Sequence, residues 1–180
     1  LNFATFAETL LFVGVVHWFG DIWKMLFFKQ GVRWKLVLLF GIPGVALALA
    51  ASSLPAALPE TSLKQALGIF LVSYVVFLYF KPKWKLKETL LNAIIGGGLS
   101  GVFAGLFGAG GAIRGTFLSA FNLQKAVYIF TSGAIAIMID SARLVGYSAV
   151  GIRLSDFTTQ MQELILPSAW WTLCHKTNSG

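Results

Sequence analysis

Apolar residues run through this chain in long blocks rather than at helical or alternating spacing. Five blocks stand out: Phe3 to Phe28, Leu36 to about Leu54, Ala66 to Phe80, Leu90 to Phe107, and Ala126 to about Val150. A helix that is apolar all round is buried, in protein or in lipid. Crossing a bilayer takes roughly 20 predominantly apolar residues, so the pattern predicts an all-α, polytopic transmembrane helical bundle. The third block is short but very apolar. The first is interrupted by Glu8, His17, Asp21 and Lys24, and the fifth by Asp140 and Arg143. Gly41, Pro43 and Gly44 predict a kink in the second. Between the fourth and fifth lies Ala112 to Phe121, too short to span, which reads as a half-helix or re-entrant piece.

The loops between blocks alternate in character. Lys29 to Lys35 carries three basic residues and Lys81 to Lys87 four lysines, while Leu54 to Thr61 has none. With one crossing per long block, every basic loop falls on the cytoplasmic side, and Arg153 with them. Block one then runs inward and the glycine-rich stretch faces the outer half. Arg114 and Lys125 run against that last placement.

The glycine-rich stretch, Gly96 to Phe117, is the most informative segment. Gly97, Gly101 and Gly105 fall four apart on one helix face, where a bare surface admits another backbone. Gly108, Gly110 and Gly111 free the chain to leave the helix and turn its amides toward a ligand. Arg114, three residues on, makes that ligand an anion. Such a break is tolerated at membrane depth only where protein or a watery cavity covers it.

Composition sharpens this picture. Of 180 residues 57% are hydrophobic and 12% charged, against about 25% charged in soluble domains; the mean hydropathy is +0.77. The net charge of +7 does not imply nucleic acid, because the cations sit in short loops between apolar blocks. One cysteine, Cys174, excludes an internal disulfide, and two histidines, His17 and His175, make no metal cluster. No cofactor is expected. No nucleophile–base arrangement and no GxxxxGK[ST] loop occurs, which argues against an enzyme and against ATP-driven transport. A secretory signal pattern is not seen, and the start at Leu1 suits a fragment.

Blocks one and five end alike. Asp21 and Lys24, like Asp140 and Arg143, place an acid and a base three apart on one face, near what the alternation makes the inner end. The two pairs lie 119 positions apart, which suits two four-helix repeats in the same sense. The expected organisation is a transmembrane domain over 1–157, with part of repeat one at 1–80 and repeat two at 81–157. A tail at 158–180, interfacial or disordered, contains Gln160, Gln162, Glu163, Pro167, Trp170 and Trp171.

The run Gly105-Leu-Phe-Gly108-Ala-Gly110-Gly111, then a short apolar piece, then Thr131-Ser132, resembles the TauE/SafE family of sulfite exporters, also called sulfonate-uptake permeases. The basic Arg33-Trp34-Lys35 loop and the following Gly-Ile-Pro-Gly helix agree, and the resemblance covers roughly residues 3–155. The family often has a third glycine where Ala112 stands and a proline near Phe117. This chain fits a branch with an arginine after the glycines and an Asp-x-x-Arg-x-x-x-Tyr pattern, met by Asp140, Arg143 and Tyr147. The resemblance implies two repeats of four helices, with the first part of repeat one missing here and the end of repeat two in question. It implies a transporter moving a small sulfur-containing or organic anion across the cytoplasmic membrane, coupled to an ion gradient. Its partners would be the anion and the lipid bilayer, not nucleic acid; a homo-oligomer is compatible. The alternative is a membrane scaffold or a truncated, non-transporting protein.

Each candidate residue carries two readings. Arg114, with the amides around Gly108, Gly110 and Gly111, binds an oxyanion, or it sits at the interface against headgroups. A charge at bilayer depth costs about 2.5–3.5 kcal/mol on insertion scales, so something must offset it. Asp140 and Arg143 form a coupling site or, the reading favoured here, a structural pair with Arg143 snorkelling; Asp21 and Lys24 take the same readings. Thr131 and Ser132 line the anion path or bond back to their own helix; the resemblance favours the path. Glu8 and His17, nine apart, fall about 180° apart on the wheel and do not share a site, and His17 reads as packed or interfacial.

Overall fold

The computed structural model describes residues 6–27, 31–81 and 84–151; the expectations for Arg153 and for the tail at 158–180 lie outside them. The described residues form helices α1 (Phe6–Phe27), α2 (Trp34–Ser52), α3 (Leu54–Ala57), α4 (Glu60–Phe80), α5 (Leu90–Phe107), α6 (Gly110–Ala120) and α7 (Lys125–Ala149). Five spans are long and apolar enough to cross a membrane: Glu8–Phe27, Trp34–Ala57, Glu60–Phe80, Leu90–Phe107 and Lys125–Ala149. Helix α2 runs on through Pro43 as one helix. Helix α4 starts earlier than its apolar block because a polar first turn, with Glu60 paired to Lys64 at 2.8 Å, extends it. Thr89 caps α5 by accepting a hydrogen bond from the Asn92 amide, which satisfies one of the donors that a helix start leaves open.

The centre of the bundle is α2 against α5. A Cβ on Gly97 would strike the carbonyl of Phe40, and one on Gly101 the carbonyl of Gly44. At Gly105 it would lie 2.7 Å from the carbonyl of Ala48. The two backbones therefore touch at every fourth residue and run parallel. Parallel to both lies α7, with Met138 against Gly41, Ile139 against Gly44 and Ser52 against Gly146. Phe40, Ile135, Ile139 and Leu118 fill the core between them. Helix α1 runs antiparallel to α7: Gly14 meets Leu144, Trp18 Nε1 donates to Ser141 Oγ at 2.9 Å, and Met25 meets Gly133.

Helix α6 turns back along α5. Gly110 lies against Ser100 and Ala104, Phe117 against Gly96, and the Ala120 carbonyl accepts from the Leu86 amide at 3.0 Å. The chain is thus returned to the end where α5 began. Helix α7 starts there, and its Thr131 Oγ1 accepts the Arg33 amide at 3.3 Å. This corrects the crossing pattern read from the sequence. Block five does not run inward from the glycine break; it sets out from the basic-loop end, in the same direction as α5. Eleven residues are too few for a span but long enough, at about 1.5 Å each, to reverse the chain. Lys125 consequently joins the basic loops, while Asp140 and Arg143 lie in the opposite half, not near the inner end. The echo of α1 in α7 is carried by neighbours of opposite sense, so a same-sense relation does not hold for these two helices.

A labelling experiment checks this. With Cys174 replaced by serine, single cysteines at Asn122 and Lys87 are expected to react with an impermeant reagent from one side of the membrane and a cysteine at Leu58 from the other. Asn122 labelling together with Leu58 would overturn the return of α6.

Helix α4 stands at the edge. It touches the rest through Phe70 on Phe103, with ring centroids 4.2 Å apart, through Tyr74 Oη to Thr116 Oγ1 at 3.0 Å, and through Phe77 on Trp84. Ile69, Val72, Val75 and Tyr79 face outward, an apolar surface fit for lipid.

Candidate functional site

The glycine break begins where α5 ends. Gly108 closes the helix in the left-handed region (φ 66°), and its amide bonds back to Ala104 and Phe103. A side chain there would be strained and would lie 2.9 Å from Arg143 Nη1. The Ala109 amide also bonds to Phe103. The amides of Gly110 and Gly111, at the head of α6, have no acceptor within their helix. The amide cradle is therefore narrower than Gly108 to Gly111. Ser100 Oγ donates to the Gly110 carbonyl at 2.9 Å and fixes the start of α6 on α5.

A cavity of about 480 Å³ opens beside this turn, between α1, the head of α6 and α7. Asp21, Lys24, Gly108, Gly111, Arg114 and Asp140 line it, and so do Val16, His17, Gly20, Ala109 and Ala112. Arg114 sits one turn into α6 and is buried. Its Nε reaches Ser132 Oγ at 3.4 Å. Among the described residues it has no ion-pair partner, and its terminal nitrogens make no hydrogen bond, so this guanidinium is free to bind. The two carboxylates are each paired. Asp21 Oδ1 accepts from Lys24 Nζ at 2.8 Å, and Asp140 Oδ1 lies 3.0 Å from Arg143 Nε.

Arg143 does not snorkel. It is sealed (1% exposed), and its Nη1 donates to the Ala104 carbonyl at 3.4 Å. Tyr147 Oη donates to the Gly105 carbonyl at 2.7 Å. Both side chains thus serve the carbonyl end of α5, where open acceptors and the negative end of the helix dipole favour a cation. The Nε of Arg143 is close to Asp140 but lacks hydrogen-bond alignment, so that pair is held by charge more than by directed bonding.

The family model described as Sulfite exporter TauE/SafE matches residues 3–172. The chain belongs to the TauE/SafE family. No curated protein and no solved structure gives a significant match. TauE/SafE proteins are membrane transporters, and with its five apolar spans this member is a multi-pass membrane protein. The match extends past the roughly 3–155 covered by the motifs.

Within this TauE/SafE chain, the residues singled out from sequence separate into three groups. Gly108, Gly111, Arg114, Asp140, Asp21 and Lys24 come together around one cavity. Ser132 stands behind Arg114 as its hydrogen-bond acceptor, and Arg143 stands behind Asp140. Gly110 and Thr131 do not line the cavity. Gly110 is wedged against Ser100 and Ala104. Thr131, fully buried, ties α7 to the start of α2 at the basic-loop end. His17, which reads from sequence as packed or interfacial, also lines the cavity. The signal was present: His17, Asp21 and Lys24 follow i, i+4, i+7 spacing on one face of α1.

Proposed function

We propose that this TauE/SafE protein carries a small sulfur-containing or organic anion across the cytoplasmic membrane, and that the anion rests in the cavity against Arg114. The observation that supports this most is a buried guanidinium with no carboxylate partner among the described residues, facing a cavity large enough for a small oxyanion with water. Burying a cation without a partner is costly, and a planar fork of donors matches an oxyanion with two parallel bonds. The head of α6, with the Gly111 amide at the cavity, adds a second attraction for negative charge. In this reading α5 and α6 form a re-entrant pair, and access alternates around the break between them. Coupling to an ion gradient is assigned to Asp140, the carboxylate that faces the cavity with Arg143 behind it.

Thermal shift of the detergent-purified protein, screened with sulfite, thiosulfate, sulfonates and small carboxylates, tests the site, because a ligand that binds only the folded form raises apparent stability. Arg114→Ala is expected to weaken binding by about 10- to 100-fold, the worth of about 1.5–3 kcal/mol for hydrogen bonds to a charged group. A folded Arg114→Ala protein with the wild-type response would sink the assignment.

A further inference from the structure

The charges around the cavity restrict the anion further. Lys24 and Arg114 are positive, Asp21 and Asp140 negative, and all four line the cavity. Arg143 stands behind Asp140 at 3.0 Å and is the next charge outward. With His17 counted as neutral, these described groups sum to one excess positive charge. The carboxylates are held in place at the cavity wall: Asp21 is 4% and Asp140 6% exposed. Neighbouring walls are glycine, alanine and valine, which screen charge poorly. With both carboxylates ionised, one negative charge brought into the cavity leaves it neutral, and two leave it negative.

We infer that the site selects anions of single charge over dianions, and that Asp21, by holding Lys24, is the residue that sets this selectivity. The inference rests on the proposed anion site and deepens it. Lys24 lines the same cavity as Arg114, but its ammonium is engaged by Asp21 at 2.8 Å. The site therefore offers an anion one unengaged cation, Arg114, and one engaged cation, Lys24. A monoanion needs only the first. A dianion needs both, and would have to draw Lys24 away from a carboxylate that burial leaves with no other partner among the described residues.

Methanesulfonate and sulfate test this, because both present tetrahedral SO₃ faces but carry one and two charges. Binding is measured by concentration-dependent thermal shift at pH 8. The wild-type protein is expected to bind methanesulfonate at least about tenfold more tightly than sulfate, the order of one unit charge acting over several ångströms at intermediate dielectric. Asp21→Asn raises the excess to two charges and frees Lys24, so sulfate should gain about tenfold relative to methanesulfonate. Lys24→Met removes the excess, and the sulfate-to-methanesulfonate ratio should fall further. The Lys24 side chain is 57% exposed, so this second variant carries the test if Asp21→Asn does not fold. Sulfate bound as tightly as methanesulfonate by the wild type, or a ratio unmoved in the folded variants, overturns the charge selection while leaving the anion site standing. No anion-dependent shift in the wild type, or a shift retained in Arg114→Ala, overturns the proposed site and the selectivity with it.

Discussion

Alanine at Gly101 drives α2 and α5 apart, and the expected cost is about 3 kcal/mol, the upper end of the usual range for overpacking. The reason is what the new methyl group meets. At most core positions an extra carbon pushes on a side chain that can change rotamer. At Gly101 it pushes on the Gly44 carbonyl, which belongs to a helix and cannot yield alone. Lipid supplies no hydrophobic force between helices, so the seam depends on close backbone approach, dispersion and weak Cα–H···O contacts. All three fall steeply with distance. Gly68 provides the control: nothing lies within 4 Å of a Cβ built there. Gly68→Ala should be neutral or stabilising by up to about 1 kcal/mol through helix propensity. Unfolding midpoints of the two variants in one detergent decide the matter; equal midpoints would show that the seam is not the main source of cohesion.

Removing the Arg143 side chain has the other large expected effect, a loss of about 3–5 kcal/mol, as for a buried ion pair cut on one side. Asp140, 9% exposed at its side chain, would be left as a buried charge with its nearest cation gone, and the Ala104 carbonyl would lose a donor. The double variant Asp140→Asn with Arg143→Ala should recover much of the loss, because no unpaired charge remains. Arg143→Lys should fall between, since a single ammonium cannot serve Asp140 and the end of α5 as a guanidinium does. If Arg143→Ala proves as stable as the double variant, Asp140 does not depend on Arg143 and the pair is not what holds this corner.

Much of this architecture was readable from residue order because lipid imposes strong local rules. The limits of α5 follow from Thr89 before the apolar run and Gly108 after it. The bare face of α5 follows from glycines four apart. Direction was harder. Hydropathy marks where a segment crosses but carries no sign, and α6 is too short to count as a crossing although it reverses the chain. The clue lay in Lys125, a cation misplaced under the simple alternation and correctly placed once α6 turns back. Intramembrane charges flagged Arg114, Asp140 and Asp21, since each needs a reason to be there. Thr131 and Gly110 were harder to place, because the same hydroxyl or glycine serves a path or a packing contact, and only tertiary neighbours distinguish them. His17 faces away from Glu8, nine positions back, but shares a helix face with Asp21, one turn on.

The bonds around the cavity are unequally distributed, and that gives its walls different stiffness. On one side the α2–α5 seam and the Arg143 and Tyr147 bonds to α5 join α2, α5 and α7 into a single stiff plate; bending it would break several bonds at once. On the other, α1 meets α7 through Trp18 and Ser141, through small-residue contacts, and through Leu10 and Leu11 packed with Tyr147 and Leu144, and about half of its residues face outward. Helix α1 packs mainly on α7, whereas α7 is held by α1, α2 and α5 together, so α1 is the easier of the two to displace. The cavity thus has a back formed by α7, carrying Asp140, and by α6, which packs along α5 and carries Arg114, and a front on α1 carrying His17, Asp21 and Lys24, so its width follows how α1 leans.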